Sequence, residues 1–516
     1  MTKEKLRRRV TMKPLHSNLQ KARWGVVLQI TGWTLILALF TSGCIKMGKD
    51  YQRPDMDFTV PDAWEHPGPE TVPENPSATD APYRWWRVFN NPDLDRFVEA
   101  VIANNHDIQK AAAGILEARA NLGITRADRL PAVNLSLEAE RTRKTRAATL
   151  PGMNRTTDNY TVSLPAAFEL DLWGRLARAE EAARAKLLAT ETARDTVMNT
   201  VIAESVSLYL QHEAAKQRLQ VARQRLQNRA KFQKLIQSRY TEGLITSDGL
   251  HQARIAVNQA EAAVLAVKRD IAGIQQQLCV LAGEYPKTDL SDMAMTDNAV
   301  NDGNLFSRLE PVQAGLPSDL LRRRPDIRSA EASLQALNAT VGAAKAARFP
   351  RISLTGAFGY ANSELDDLLT PESEFWNIAA GITRPLFDAG RLKAAHQAAN
   401  ARYEQGVQSY AQTVLKAFAE VENGLFNREN YLETRNRQVN TLEAARATYE
   451  NATHRYNGGI SSLTDVLSTE QSYLDARENL ILTELALVTN RVSLERALGG
   501  AFSPPTATGD TAANGT

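Results

Sequence analysis

No proline or glycine interrupts the 65 residues from 175 to 239. Proline breaks a helix interior and glycine weakens one. The run therefore reads as one helix about 100 Å long, roughly three times the diameter of a small domain. A helix of that length has to pack along other long elements. A second run, 391–456, contains only Gly406 and Gly424, which read as its weak spots. Each run leads through a short turn to a return helix of about 35 residues. In the first return helix Val264, Val267, Ile271, Ile274, Leu278 and Leu281 step by three and four. That heptad seam predicts left-handed packing against a neighbour. Cys279 lies in the same apolar stretch and reads as core.

The two runs belong to a larger duplication. Asp107-Ile108 recurs as Asp326-Ile327, Gly123 as Gly342 and Arg129-Leu130-Pro131 as Arg348-Phe349-Pro350, each 219 residues on. Gly174-Arg175-Leu176 recurs as Gly390-Arg391-Leu392, Arg239-Tyr240 as Arg455-Tyr456 and Gly243-Leu244 as Gly459-Ile460, each 216 residues on. So large a shift means two copies of one architectural unit. The copies are 93–283 and 317–500, joined by a connector at 284–316.

Each copy opens with a helix, over 94–128 and 320–348, and continues with two alternating segments. Val133, Leu135, Leu137 and Ala139 alternate with polar residues, as do Tyr160, Val162, Leu164, Ala166 and Phe168. In the second copy Ile352, Leu354, Phe358 and Tyr360 alternate with Ser353, Thr355, Ala357 and Gly359. Trp376, Ile378, Ala380 and Ile382 do the same against Asn377, Ala379, Gly381 and Thr383. A period of two is the strand signature, and segments of about ten residues suit a transmembrane barrel. Tyr160, Tyr360, Phe375 and Trp376 sit at strand ends, where an aromatic girdle belongs. Four strands cannot close a barrel, and open edges in lipid cost several kcal/mol per unpaired group. Three identical chains would close a ring of about twelve strands, continued by the helices as a tube. The expected fold class is an α+β membrane protein: a trimeric transmembrane β-barrel on a long α-helical barrel of coiled coils, internally duplicated.

Charge placement says how the chain reaches a membrane. The net charge is only +2, yet eight basic residues and one acid precede Cys44. The rest carries 53 basic and 58 acidic residues, net −5, which argues against a nucleic-acid-binding domain. Basic residues, then an uncharged run over 24–43, then Thr41-Ser42-Gly43, follow the order of a signal peptide over 1–43, with Met1 or Met12 as its start. An uncleaved membrane anchor is the alternative. The Thr-Ser-Gly-Cys ending resembles a bacterial lipoprotein box, which implies a covalent lipid on Cys44. Ile45 then fits sorting to the outer membrane. Residues 44–92 read as an extended segment, with seven of the 21 prolines between 51 and 85, and 501–516 as a disordered tail.

The stretches Gly315-Leu-Pro-Ser-Asp-Leu-Leu-Arg-Arg-Arg-Pro-Asp-Ile-Arg-Ser-Ala-Glu331 and Ala343-Ala-Lys-Ala-Ala-Arg-Phe-Pro-Arg-Ile-Ser-Leu-Thr-Gly356 resemble the TolC/OprM-like outer membrane factor family, in its NodT-type lipoprotein branch. Asp171-Leu-Trp-Gly-Arg175 and Pro385-Leu-Phe-Asp-Ala-Gly-Arg391 end the strand pairs in the same manner. The resemblance implies a homotrimeric efflux duct in the outer membrane of a Gram-negative bacterium, lipid-anchored and reaching into the periplasm. It implies two partners besides outer-membrane lipid: a periplasmic adaptor (membrane fusion protein) and an inner-membrane pump, commonly of the resistance-nodulation-division type. It assigns adaptor docking to the turns at Gly243, Leu244 and Ile245 and at Gly459 and Ile460. It assigns the periplasmic gate to Tyr456, Asp465 and Asp248, although an acid at a helix start has a purely local use as well. Asp465 pointing to a three-fold axis would form a charge ring. Ser468 and Gly249 stand where the family often has further acids.

No nucleophile elbow, phosphate loop or zinc-protease motif occurs, and no cofactor is expected beyond the lipid. The seven His and eight Met form no cluster, and His212-Glu213 reads as a solvated helix face. Arg322-Arg323-Arg324 reads as pairing with Asp326 and Glu331 around a helix start. The alternatives to a small-molecule duct are a lipid-anchored coiled-coil scaffold or adaptor without a pore, and a duct for protein secretion. A scaffold would not need the strands.

Overall fold

A computed structural model describes residues 46–56, 58–66, 84–145, 147, 154–288 and 317–500. The leader, Cys44, most of the 284–316 connector and the 501–516 tail lie outside them. In chain order the elements are α1 (Pro92–Asn104), α2 (His106–Ala127), β1 (Ala132–Val133), β2 (Ser136–Arg143), β3 (Thr156–Leu170), α3 (Arg175–Thr241) and α4 (Ser247–Leu281). Then come α5 (Pro317–Arg323), α6 (Pro325–Ala346), β4 (Arg351–Asn362), β5 (Glu374–Thr383), α7 (Arg391–Asn457) and α8 (Leu463–Ala497). Helices α3 and α7 have 67 residues each, α4 and α8 have 35 each, and α2 and α6 have 22 each.

Two expected helices are each broken near their start. The first breaks at Asn105, whose backbone is extended and whose Oδ1 accepts the Asp107 and Ile108 N–H groups at 2.9 and 3.2 Å. The second breaks at Arg324, because a residue before proline disfavours helical backbone. Gly406 and Gly424 are not weak spots, since α7 runs unbroken through both. A Cβ at Gly406 would lie 2.7 Å from Leu337 Cδ1, and one at Gly424 would lie 3.0 Å from Leu494 Cδ1. These glycines allow neighbouring helices to come close.

The chain divides into two compact units. The first holds the sheet, all antiparallel, in the order β1-β3-β4-β5 with β2 also on β3. β1 and β2 are one strand in two pieces, for a reason lying in β3. Asn134 N–H donates to the Pro165 carbonyl at 3.0 Å, and Pro165 has no N–H to return the bond. At the foot of the sheet Trp173 Nε1–H donates to the Pro350 carbonyl at 2.8 Å and its ring packs 5.0 Å from Phe349. Residues 46–48 are threaded there too. Buried Arg178 donates to the Met47 and Gly48 carbonyls, and a Cβ at Gly174 would lie 2.8 Å from Lys46 Cα.

The second unit is helical and has two cores. One packs Trp85, Phe97, Val98 and Val101 against Tyr209, Leu210, Leu278 and Val488, with Cys279 fully buried among them. The other gathers Trp64, Ile327, Leu334, Tyr410, Val414 and Leu494. The segment after residue 50 is strapped onto helices. Arg53 pairs with Glu331 at 2.6 Å, Trp64 meets Phe418 edge-on at 6.0 Å, and Glu65 N–H donates to Glu422 at 2.9 Å. Glu331 thus serves the strap. Arg324 pairs with Asp326 as expected, at 2.7 Å, and with Glu420 at 2.8 Å, while Arg322 pairs with Asp319. His212 and Glu213 are 5 % and 7 % exposed, not a solvated face. They are bonded to each other, and beyond that to Gln275 and Lys216. Among the described residues no helix is long and apolar enough to cross a membrane.

Candidate functional site

Two surfaces carry the functional expectations, the faces of the sheet and the turns of the long helical hairpins. The registers bring every alternating segment onto one pleat. Leu137 stands opposite Val162, Val162 opposite Tyr360, Phe358 opposite Trp376 and Gly356 opposite Ile378. One face is thus apolar from β2 to β5, and Leu137, Trp376, Ile378 and Ile382 on it are exposed. The reverse face carries Ser136, Glu138, Thr161, Ser163, Ser353, Thr355, Asn377 and Thr383. Tyr160, Tyr360 and Trp376 lie on the apolar face. Phe375 does not, because adjacent strand residues point to opposite sides.

The hairpin turns share one geometry. Gly243 has φ +71° and Gly459 +73°. Leu244 N–H reaches back to the Arg239 carbonyl at 2.9 Å, and Gly243 N–H to Tyr240 at 3.0 Å. Ile460 and Gly459 repeat the pattern onto Arg455 and Tyr456 at 2.8 and 2.9 Å. This is the Schellman helix end, with glycine in the left-handed position. A Cβ at either glycine would meet nothing within 4 Å, so backbone conformation and not crowding requires them. The hydrophobic residue after each glycine is not explained that way. Such a residue ordinarily packs back on its own helix, whereas Leu244 and Ile460 are 67 % and 74 % exposed. Ile245 is half-buried and lies 3.6 Å from the Cβ position of Gly249.

The expected gate residues are placed unequally. Asp465 is exposed and closes a capping box with Ser462: its carboxylate accepts the Ser462 N–H at 3.0 Å, and Ser462 Oγ accepts the Asp465 N–H at 3.2 Å. Asp248 is exposed in the first turn of α4, whose Thr246 cap makes no such side-chain bond. Tyr456 is half-buried in the last turn of α7. Among the described residues no side-chain hydrogen bond or ion pair joins these three. Cys44 lies outside the described residues. No group of three or more His, Cys, Asp or Glu among the described residues is placed to hold a metal ion.

Sequence reasoning missed the polar seam between α3 and α8. Arg218 pairs with Glu478 at 3.1 Å, Arg225 with Asp475 at 2.6 Å, and Arg229 donates to Gln471 at 2.9 Å. Asn228 donates to Glu470, which is 5 % exposed. Burial pushes the Glu470 carboxyl above its usual range, with Arg229 opposing. Tyr473 stacks flat on Tyr449 at 5.9 Å. The available signal was the spacing of 218, 225 and 229 against acids at 478, 475 and 470 in reverse order.

A sheet apolar on one face and polar on the other, whose outer edges pair with no other strand among the described residues, combined with two matched helical hairpins, defines an outer-membrane channel subunit. The model of the outer membrane efflux protein family matches residues 97–284 and 316–500, and the chain belongs to that family. It is 35 % identical to the solvent efflux pump outer membrane protein SrpC of Pseudomonas putida, over 80 % of this chain and 87 % of that protein. It is 31 % identical to the cation efflux system protein CusC of Escherichia coli K12, over 90 % of this chain and 98 % of that protein. A solved membrane protein from Pseudomonas aeruginosa superimposes with a TM-score of 0.79 at 29 % identity, covering 89 % of this chain and 98 % of its own.

Proposed function

We propose that three copies of this chain form a passive duct through which an efflux system discharges small toxic molecules across the outer membrane. The observation that carries the reading is the register-matched sheet: one lipid-compatible face, one water-compatible face and two edges unpaired among the described residues. Water-filled barrels need both faces, and a lipid-embedded sheet needs its edges closed. Two architectural copies per chain supply about four strands, so three chains supply about twelve. A covalent lipid on Cys44 would anchor each copy to the membrane.

The helical hairpins continue the duct into the periplasm. Their exposed Gly243-Leu244-Ile245 and Gly459-Ile460 turns take an adaptor that links the duct to an inner-membrane pump. The unexplained exposure of Leu244 and Ile460 supports that role. Asp465, Asp248 and Tyr456 close the narrow end. Relatives are named for solvent efflux and for cation efflux, which supports a reading in which the pump, not the duct, chooses the cargo. The duct is expected to do no covalent chemistry.

The test is purification in detergent followed by planar-bilayer recording. A stable trimer with discrete ion-conducting steps is the expected result. Protein that is monomeric, extractable without detergent and non-conducting would refute the duct.

A further inference from the structure

The strand registers reproduce the duplication residue for residue. In the first hairpin Ser136 faces Ser163, and in the second Thr355 faces Ala379. Thr355 is Ser136 moved by 219 positions, and Ala379 is Ser163 moved by 216. Those are the two shifts found outside the strands, at Pro131/Pro350 and at Gly174/Gly390. The second hairpin is therefore the first one transposed. The ladder between β3 and β4 is then the junction from one architectural copy to the next, with Ala167 opposite Thr355 and Leu164 opposite Phe358.

The same junction has to recur where β5 meets a neighbouring chain, because β5 corresponds to β3 and β2 to β4. We propose that the open edge of β5 pairs antiparallel with the β2 edge of a second copy in one defined register, Thr383 opposite Ser136. This rests on the trimeric reading above and specifies its seam. The register sets Ile382 opposite Leu137 and Ala380 opposite Ala139 on the apolar face. It sets Asn377 opposite Thr142 on the polar face. At the far end Trp376 meets Arg143, a cation beside an aromatic ring. A slip of one residue would put each of these side chains opposite one from the wrong face.

The hydrogen-bond phase follows as well. Asn134 and Lys144 N–H groups donate across to Pro165 and Arg155, so even-numbered residues of β2 make the bonded pairs with β3. Successive residues of a strand bond to opposite neighbours, which makes Ala167–Thr355 a non-bonded pair. Gly359 and Ser163, in the same phase, approach so closely that a Cβ on Gly359 would lie 2.7 Å from Ser163 Cα. Thr383–Ser136 and Asn377–Thr142 share this non-bonded phase, whose Cα separation of about 4.5 Å is within disulfide reach.

The test uses full-length protein in outer membranes carrying Ser136→Cys with Thr383→Cys, and separately Thr142→Cys with Asn377→Cys. Under mild oxidation each pair should give a covalent trimer on non-reducing gels that returns to monomer on reduction. Single variants give the background. The displaced pairs Asn134→Cys with Thr383→Cys and Glu138→Cys with Thr383→Cys should crosslink less. Stronger crosslinking by a displaced pair overturns the register. Failure of both matched pairs in protein that is trimeric by native mass overturns the edge pairing alone. Monomeric protein overturns the pairing together with the duct.

Discussion

Asp465 spends both carboxylate and backbone N–H on Ser462, so any charge it offers a gate is offered from a fixed position. Removing the side chain would therefore confuse two effects, because loss of a cap costs about 1 kcal/mol by itself. Asp465→Asn keeps an oxygen for the Ser462 N–H and deletes the charge. If the acid gates, Asp465→Asn raises single-channel conductance or relieves block by multivalent cations, while Ser462→Ala lowers thermal stability without either change. Glu470 supplies a pH-dependent contact. Its folded carboxyl is easier to protonate than in the unfolded chain, because burial outweighs Arg229. Its stability contribution is then fullest in acid, below the ordinary glutamate range, and is lost as pH rises through the raised folded value. Circular-dichroism melting should show stability falling over that interval, and Glu470→Gln should flatten the fall. The left-handed glycines were legible because a positive φ has a residue type attached to it. The burial of Glu470 was not, because its partner Asn228 is 242 positions away and the reversed order of basic and acidic residues along the two helices marks a seam without marking which acid is buried.

Alternation made the strands legible one by one, and their ends moved by only a few residues. What the sequence did not disclose was the break at Asn134, caused by a proline on a different strand. It also overstated the glycines of α7, where neighbouring Leu337 and Leu494 fill the space a side chain would need. At this scale the two sheet faces make opposite predictions for adjacent residues. Leu354→Arg places a charge on the apolar face of a central strand and should cost about 2–4 kcal/mol of bilayer folding stability. Thr355→Arg, on the reverse face, should fold normally. Urea titration in lipid vesicles compares them, and equal losses would remove the assignment of faces.

Assembly is the scale at which sequence pattern and single-chain structure converge from different sides. The matched lengths of α3 and α7, and of α4 and α8, give two hairpins of one design with similar exposed tips. Replacing Leu244 and Ile460 together by serine removes exposed apolar surface that the fold does not use. Melting temperature should stay within a degree or two, while co-purification with the periplasmic adaptor falls. Unchanged adaptor recovery would disconnect these tips from docking. The helices behind the tips have a mechanical consequence. At 67 residues each, α3 and α7 are about 100 Å long. One degree of tilt at one end carries the other by about 2 Å over that length. That travel is of the order of the hydrogen-bond distances in the Arg225–Asp475 seam. The long helices are thus levers, whose amplification is set by chain length and can be changed by adding or deleting heptads.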